Sequence, residues 1–401
     1  MDLTSTNHKK DHSRCKNAAL AVLTFYVLAF MGSRLYAQSY FPVGDFYYQI
    51  NDDSISATLI SHVNGAGAYG ELSIPATISY NGNDYAVTRI GKNAFISCGG
   101  LTGHLTIPNS VTYIGDNAFL ACSGLITLDL GKSVDTIGPA AFYGCKGLTG
   151  SLTIPNSVKA IRLAAFYGCS GFTDTLTIGN SVTHIENAAF YKCSGFSSLT
   201  IGNSVKTIGT SAFWGCAGFA GSLTIPNSVT NIQPNAFRNC GFTGTLTLGN
   251  ALDSIGGEAF YHCSGFTEVV SLATVPPVFS FENVFEGLSC TTLTVPCGCI
   301  SAYENSDWHD YFATIIDDCS KVSELDEKAA TVYPNPTKST LRIEAENMEG
   351  ISIYNMLGEK MFEASTSSDV FEYDFSPHEV GFYLVRIQTK KGMVTKRVMV
   401  E

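Results

Sequence analysis

The chain of 401 residues carries 24 basic and 35 acidic side chains, a formal charge of −11, and is 45% hydrophobic but only 15% charged. This is the composition of a folded globular chain, and its acidity excludes a nucleic-acid partner held by phosphate neutralisation. Its length allows two or three domains.

Lys9, Lys10, Arg14 and Lys16 precede an apolar run over 18–31, and Leu35-Tyr36-Ala37 supplies a small residue at its end. This order predicts a cleaved signal peptide over 1–37, with a mature chain beginning at Gln38. At 14 residues the run is shorter than the roughly 20 needed to span a bilayer. Removal of 1–37 takes away five basic and two acidic groups and leaves a charge of about −14. Cys15 lies before the apolar run, not at its end where a lipid-bearing cysteine belongs.

Residues 38–90 alternate as strands do, in Phe46-Tyr-Tyr-Gln-Ile50 and Ile55-Ser-Ala-Thr-Leu-Ile60, and predict an N-terminal β cap. Within it Gly65-Ala-Gly-Ala-Tyr-Gly70 matches a dinucleotide-binding fingerprint letter for letter. That motif works by placing a helix N-terminus against a pyrophosphate, whereas Glu71-Leu-Ser-Ile-Pro75 reads as a strand. We therefore read it as a loop and expect no cofactor.

From 91 to 296 one unit recurs. Phe95, Phe119, Phe142, Phe166, Phe190, Phe213, Phe237 and Phe260 lie 23 or 24 residues apart, each followed three residues later by Cys. This period belongs to solenoids of leucine-rich type, not to helical-pair repeats. In the unit 105–122, Leu105 and Ile107 have strand spacing toward one face, Pro108-Asn109 turns the chain, Val111 and Ile114 begin the return, and Phe119 with Cys122 completes the interior. Fixing one coil costs roughly 1–2 kcal/mol per residue in backbone entropy. Its few buried side chains return roughly 1.5–3 kcal/mol each. A coil is stable only when stacked. The Cys column reads as buried free thiols, and the Asn column (Asn109, Asn156, Asn180, Asn203, Asn227, Asn250) as turn formers.

Two outward columns are candidates for binding. Thr153, Thr177, Thr200, Thr224 and Thr247, with neighbouring hydroxyls, predict a Thr-rich strand face. It would suit a protein or glycan ligand, although solvated strands favour Thr in any case and a regular Thr array also suits ice. Tyr143, Tyr167, Tyr191, Trp214 and Tyr261 each follow a ladder Phe and predict an aromatic edge, broken at Arg238. Such rings either contact a ligand or shield the turns. His104, His184 and His262 hold different repeat positions without a carboxylate at metal spacing, so neither a metal site nor an enzyme is expected.

The pattern degrades at Val284-Phe285 and gives way to a C-terminal cap, 297–320. Cys290, Cys297, Cys299 and Cys319 lie outside the ladder spacing and are disulfide candidates, with a four-thiolate zinc site as the rival arrangement. A charged linker, 321–330, leads to 331–401. There, short strands and turns predict a small β-sandwich. The fold class expected is mainly β, a leucine-rich-repeat solenoid with two caps and a β-sandwich tail.

The repeated Leu-Thr-Ile-Pro-Asn-Ser-Val-Thr-x-Ile-Gly-x-x-Ala-Phe-x-x-Cys of coils such as 105–122, 152–169 and 223–240 resembles the BspA-like leucine-rich repeats, over about 72–296. Leu293-Thr-Val-Pro-Cys-Gly-Cys-Ile-Ser-Ala-Tyr303 and Trp308 resemble the cap of such proteins. Val332-Tyr-Pro-Asn-Pro336, Ile353-Tyr-Asn-Met-Leu-Gly358, Gly381-Phe-Tyr-Leu-Val385 and Lys396-Arg-Val-Met-Val-Glu401 resemble the type A sorting domain of the type IX secretion system. The resemblance implies export through that machinery to the surface of a Gram-negative cell or beyond it. It also implies a non-enzymatic adhesin for an extracellular host or community protein, with a glycan-binding module or a passive structural array as alternatives.

Overall fold

The computed structural model describes residues 40–318, 329–355, 359–390 and 392–401. The expected signal peptide, most of the linker and Cys319 lie outside the described residues. The chain divides into two compact units, a capped solenoid and a C-terminal β unit.

In the solenoid the alternating Leu-Thr-Ile segments form parallel strands, as Leu152–Ile154, Thr175–Ile178 and Ser198–Thr200 do, with Leu176 opposite Leu152 and Leu199. Their apolar residues point inward. The return path carries a second ladder that the sequence does not suggest. Tyr113–Ile114, Thr136–Ile137, Ala160–Ile161, His184–Ile185, Thr207–Ile208, Asn231–Ile232, Ser254–Ile255 and Val278–Phe279 pair in one uninterrupted parallel series. A third ladder runs through the Ala-Phe corner without strand geometry. Phe119 N donates to Ala141 O and Ala121 N to Tyr143 O, both at 2.7 Å.

The coils are pressed together so closely that some backbone positions admit no side chain. A Cβ on Gly147 would lie 2.2 Å from Ser123 O in the preceding coil. Inside, the Phe rings stack from Phe95 to Phe285 with centroids 5.0–5.5 Å apart and planes within 9°. Phe285, where the sequence pattern fades, therefore completes the column. A second stack, Phe172–Phe196–Phe219–Phe242–Phe266, runs beside it.

Both ends are covered. The strand Asn83–Ile90 pairs in parallel with Tyr113–Ile114, so the sheet of the N-terminal cap continues into the solenoid, and Phe46 meets Phe95 edge-on at 6.0 Å. At the other end Trp308 packs 5.4 Å from Phe285 and donates its indole N–H to Pro277 O at 2.9 Å, while Tyr303 donates to Ala273 O at 2.8 Å.

The C-terminal unit is two antiparallel sheets. One holds Ala330–Tyr333, Thr340–Ala345 and Val370–Asp374; the other orders Lys360–Ser365, Met348–Asn355, Gly381–Thr389 and Gly392–Val400. Leu341, Ile343, Ile351, Ile353, Val385 and Ile387 fill the space between them. The Tyr-Pro-Asn-Pro segment is tied to the last strand by Asn335, whose Nδ2 donates to Arg397 O at 2.8 Å and whose Oδ1 accepts from Met399 N at 2.9 Å.

Candidate binding surfaces

The strand face places Thr153, Thr177 and Thr200 in register with each other, and Thr224 with Thr247. Thr153, Thr200 and Thr224 are exposed, and Thr177 and Thr247 half-buried. The face is not continuous, however. Its strands form three separate sheets, with breaks ahead of Leu152 and ahead of Leu223. A glycine at positive φ precedes each of these two strands, Gly150 at 75° and Gly221 at 70°, although Gly103, at 78° in the same repeat position, lies within a strand paired on both sides. Among the described residues the hydroxyl face is carried by three hydrogen-bonded sheets, not one.

The aromatic edge is continuous where a break was expected. Tyr143 stacks on Tyr167 at 4.5 Å and Tyr167 on Tyr191 at 4.6 Å, and Trp214 meets Tyr191 edge-on at 5.4 Å. Arg238 does not interrupt the row but joins it. Its guanidinium lies 4.8 Å from the Trp214 centroid and 4.4 Å from that of Tyr261, and it pairs with the Glu258 carboxylate. A planar cation substitutes for a ring because its charge is attracted to the negative π faces on either side. Lys192 adds a second cation, 5.4 Å from the Tyr191 ring. Tyr143 is 37% exposed and the rest of the row half-buried. Burial and the adjoining phenols Tyr143 and Tyr191 hold the Tyr167 hydroxyl above its ordinary pKa. The row thus presents ring edges, hydroxyls and cations, while most ring faces are used by neighbours.

The ladder cysteines from Cys98 to Cys263 are buried free thiols. The Asn column does more than turn the chain: Asn156 Oδ1 accepts from Asn180 N at 2.7 Å, and Asn180 Oδ1 from Asn203 N at 3.1 Å, linking successive coils. Among the cap candidates, Cys297 is disulfide-bonded, but Cys290 and Cys299 are free. Of the disulfide candidates, Cys290 is thus not a disulfide partner; it is buried, its thiol donating to Thr292 O at 3.2 Å. The fingerprint loop forms a short 3-10 turn, Gly65–Gly67, followed by the strand Tyr69–Glu71. His104 and His184 bond to Thr127 and Thr183, on separate coils. Among the described residues no group of His, Cys, Asp and Glu side chains has metal-binding geometry.

Stacked coils of 23 or 24 residues with internal Phe, Cys and Asn ladders define a leucine-rich solenoid, here joined to an antiparallel β module. The BspA type leucine rich repeat region matches in six copies at residues 88–220 and 183–306, more than half of the chain, and the chain belongs to that family. Residues 331–401 match the secretion system C-terminal sorting domain. The protein is thus a secreted or outer-surface repeat protein, exported with the type IX machinery. Among the described residues no helix is long and apolar enough to cross a membrane.

Solved structures similar to the chain include a leucine-rich repeat protein from Bacteroides ovatus, 23% identical with a TM-score of 0.47 over 69% of this chain and 76% of that one. A leucine rich cell surface protein from Faecalibacterium prausnitzii is 20% identical, with a TM-score of 0.39 over 72% and 96% of the two chains. A leucine rich repeat protein from T. pallidum is 24% identical, with a TM-score of 0.43 over 51% and 90%. No curated protein matches the chain.

Proposed function

We propose that this surface protein is a non-enzymatic adhesin that engages an extracellular protein through its aromatic edge. The observation that carries the reading is the mixed row Tyr143–Tyr167–Tyr191–Trp214–Arg238–Tyr261, half-exposed over successive coils. Tyr, Trp and Arg dominate the energetic centres of protein interfaces because they combine large buried area with a polar handle. A rigid row also loses little side-chain entropy on binding. Sugar stacking needs open ring faces, which Tyr167 and Tyr191 do not offer, so this edge favours a protein over a glycan. The interrupted hydroxyl face supports the same choice of surface.

The test is binding of the purified chain to immobilised extracellular-matrix proteins, comparing the parent with Trp214→Ala and with a variant carrying Ser at Thr153, Thr177, Thr200, Thr224 and Thr247. Trp214→Ala should cost about 2 kcal/mol of binding, roughly thirtyfold in affinity, with folding retained. The Ser variant should bind as the parent does. Loss in the Ser variant alone would move the site to the strand face, and absence of saturable binding to any matrix protein would reject the adhesin reading.

A further inference from the structure

The glycine-rich turn has no part in the aromatic edge, yet it delivers a side chain of another kind. Gly65 O accepts from Cys98 Sγ at 3.3 Å, which ties the turn to the first coil, and the chain then enters the edge strand Tyr69–Glu71. This strand pairs in parallel with Gly100–Thr106, Tyr69 opposite Gly100 and Glu71 opposite Thr102. Residues two apart on a strand share a face, so Tyr69 and Glu71 project together. Tyr69 is 79% exposed and stands opposite a residue without a side chain. Its ring faces are open, in contrast to the face-stacked Tyr167 and Tyr191.

Glu71, two residues further along the same strand face, borders a concavity of about 460 Å³ floored by the buried Leu72 and Ile74 and lined also by Ser73, His104 and Thr106. The His104 ring is held through Nδ1 by the Thr127 hydroxyl, which leaves Nε2 for another partner. An open aromatic face, a carboxylate, an oriented imidazole and hydroxyls around a shallow hollow are complementary to one class of ligand. We infer that the face formed by Tyr69, Glu71 and His104 is a binding site for a neutral pyranose. The sugar's C–H face lies on the electron-rich ring of Tyr69, and its adjacent hydroxyls donate to the Glu71 carboxylate and meet His104. A uronate or sulfated sugar is excluded by Glu71 and by the chain's charge of −11. The site is separate from the aromatic edge and does not depend on its role.

Saturation-transfer NMR on the full chain with methyl α-mannoside, methyl β-galactoside and methyl β-N-acetylglucosaminide tests the assignment. Transfer from aromatic protons to the sugar ring protons of at least one glycoside is expected. Tyr69→Ala should reduce it at least tenfold and Glu71→Gln at least threefold, whereas Tyr167→Ala should leave it unchanged. Tyr69 and Glu71 are both exposed, so circular dichroism of those two variants should match the parent. No transfer to any of the three glycosides, or transfer that survives Tyr69→Ala, overturns the assignment, and neither result bears on protein binding by Trp214.

Discussion

Each ladder cysteine from Cys122 to Cys263 solves a hydrogen-bonding problem one coil away. Phe142 O accepts from Cys145 N within its own corner at 3.3 Å and from the thiol of Cys169 in the next coil at 3.0 Å; Phe166 O receives Cys193 in the same way. A small side chain both fills the corner and satisfies the carbonyl's second lone pair. Desolvation pushes the Cys98 thiol up to about 11 and that of Cys263 to about 12, and raises Cys122, Cys169, Cys193 and Cys240 as well. The folded chain therefore holds these protons when the unfolded chain, with thiols near 9, has released them. Stability should be level below about pH 8.5 and fall as pH rises toward about 12, read as a declining urea midpoint, and Cys263→Ala should make the fall shallower. A midpoint unchanged up to pH 10.5 would contradict this. Iodoacetamide at pH 7.5 should modify the half-exposed Cys299 in the native chain and the ladder only after unfolding, as mass spectrometry of digests can show. The sequence places these cysteines in the interior, but it cannot show the donor role, because the accepting carbonyl is 26 or 27 residues away.

At the scale of the element, the Phe stack and the glycines set the coil spacing together. Phe190 lies 5.3 Å from Phe166 and 5.4 Å from Phe213, fully buried, so Phe190→Ala should cost about 3–5 kcal/mol by opening a cavity within the column. Gly147→Ala should also destabilise, although it adds only a methyl group, since its Cβ would meet backbone on a neighbouring coil rather than a movable side chain. Chemical denaturation of both variants checks the pair, and a Gly147→Ala variant as stable as the parent would show that the coils can separate freely. The Leu-Thr-Ile strands are legible because three alternating residues already show a period. The Thr136–Ile137 ladder is not, because two residues have no period and only the stacking of one such pair from each coil makes a sheet of them. Arg238 misleads for a related reason: a charged residue in an aromatic column reads as a gap until its plane is seen between Trp214 and Tyr261.

Over the whole molecule, two cores are built on opposite principles. The solenoid repeats one local solution, so its stability is shared among neighbouring coils and depends on covered ends. The C-terminal unit closes a single core between antiparallel sheets, and its integrity rests on a few long-range ties. Asn335 is one of these, bonded to the last strand at Arg397 and Met399, more than 60 residues along the chain. Replacing it with Ala removes two exposed ties to Arg397 O and Met399 N and should cost about 0.5–1.5 kcal/mol, since water can take the vacated places. Because each unit carries its own core, calorimetry of the full chain should resolve two transitions, of which Asn335→Ala lowers one and Trp308→Ala, which uncovers Phe285, lowers the other. The sorting tail and the repeat solenoid can then be varied separately, as a protein that exports one module by means of another requires. A single transition moved equally by both substitutions would show that the two units fold as one.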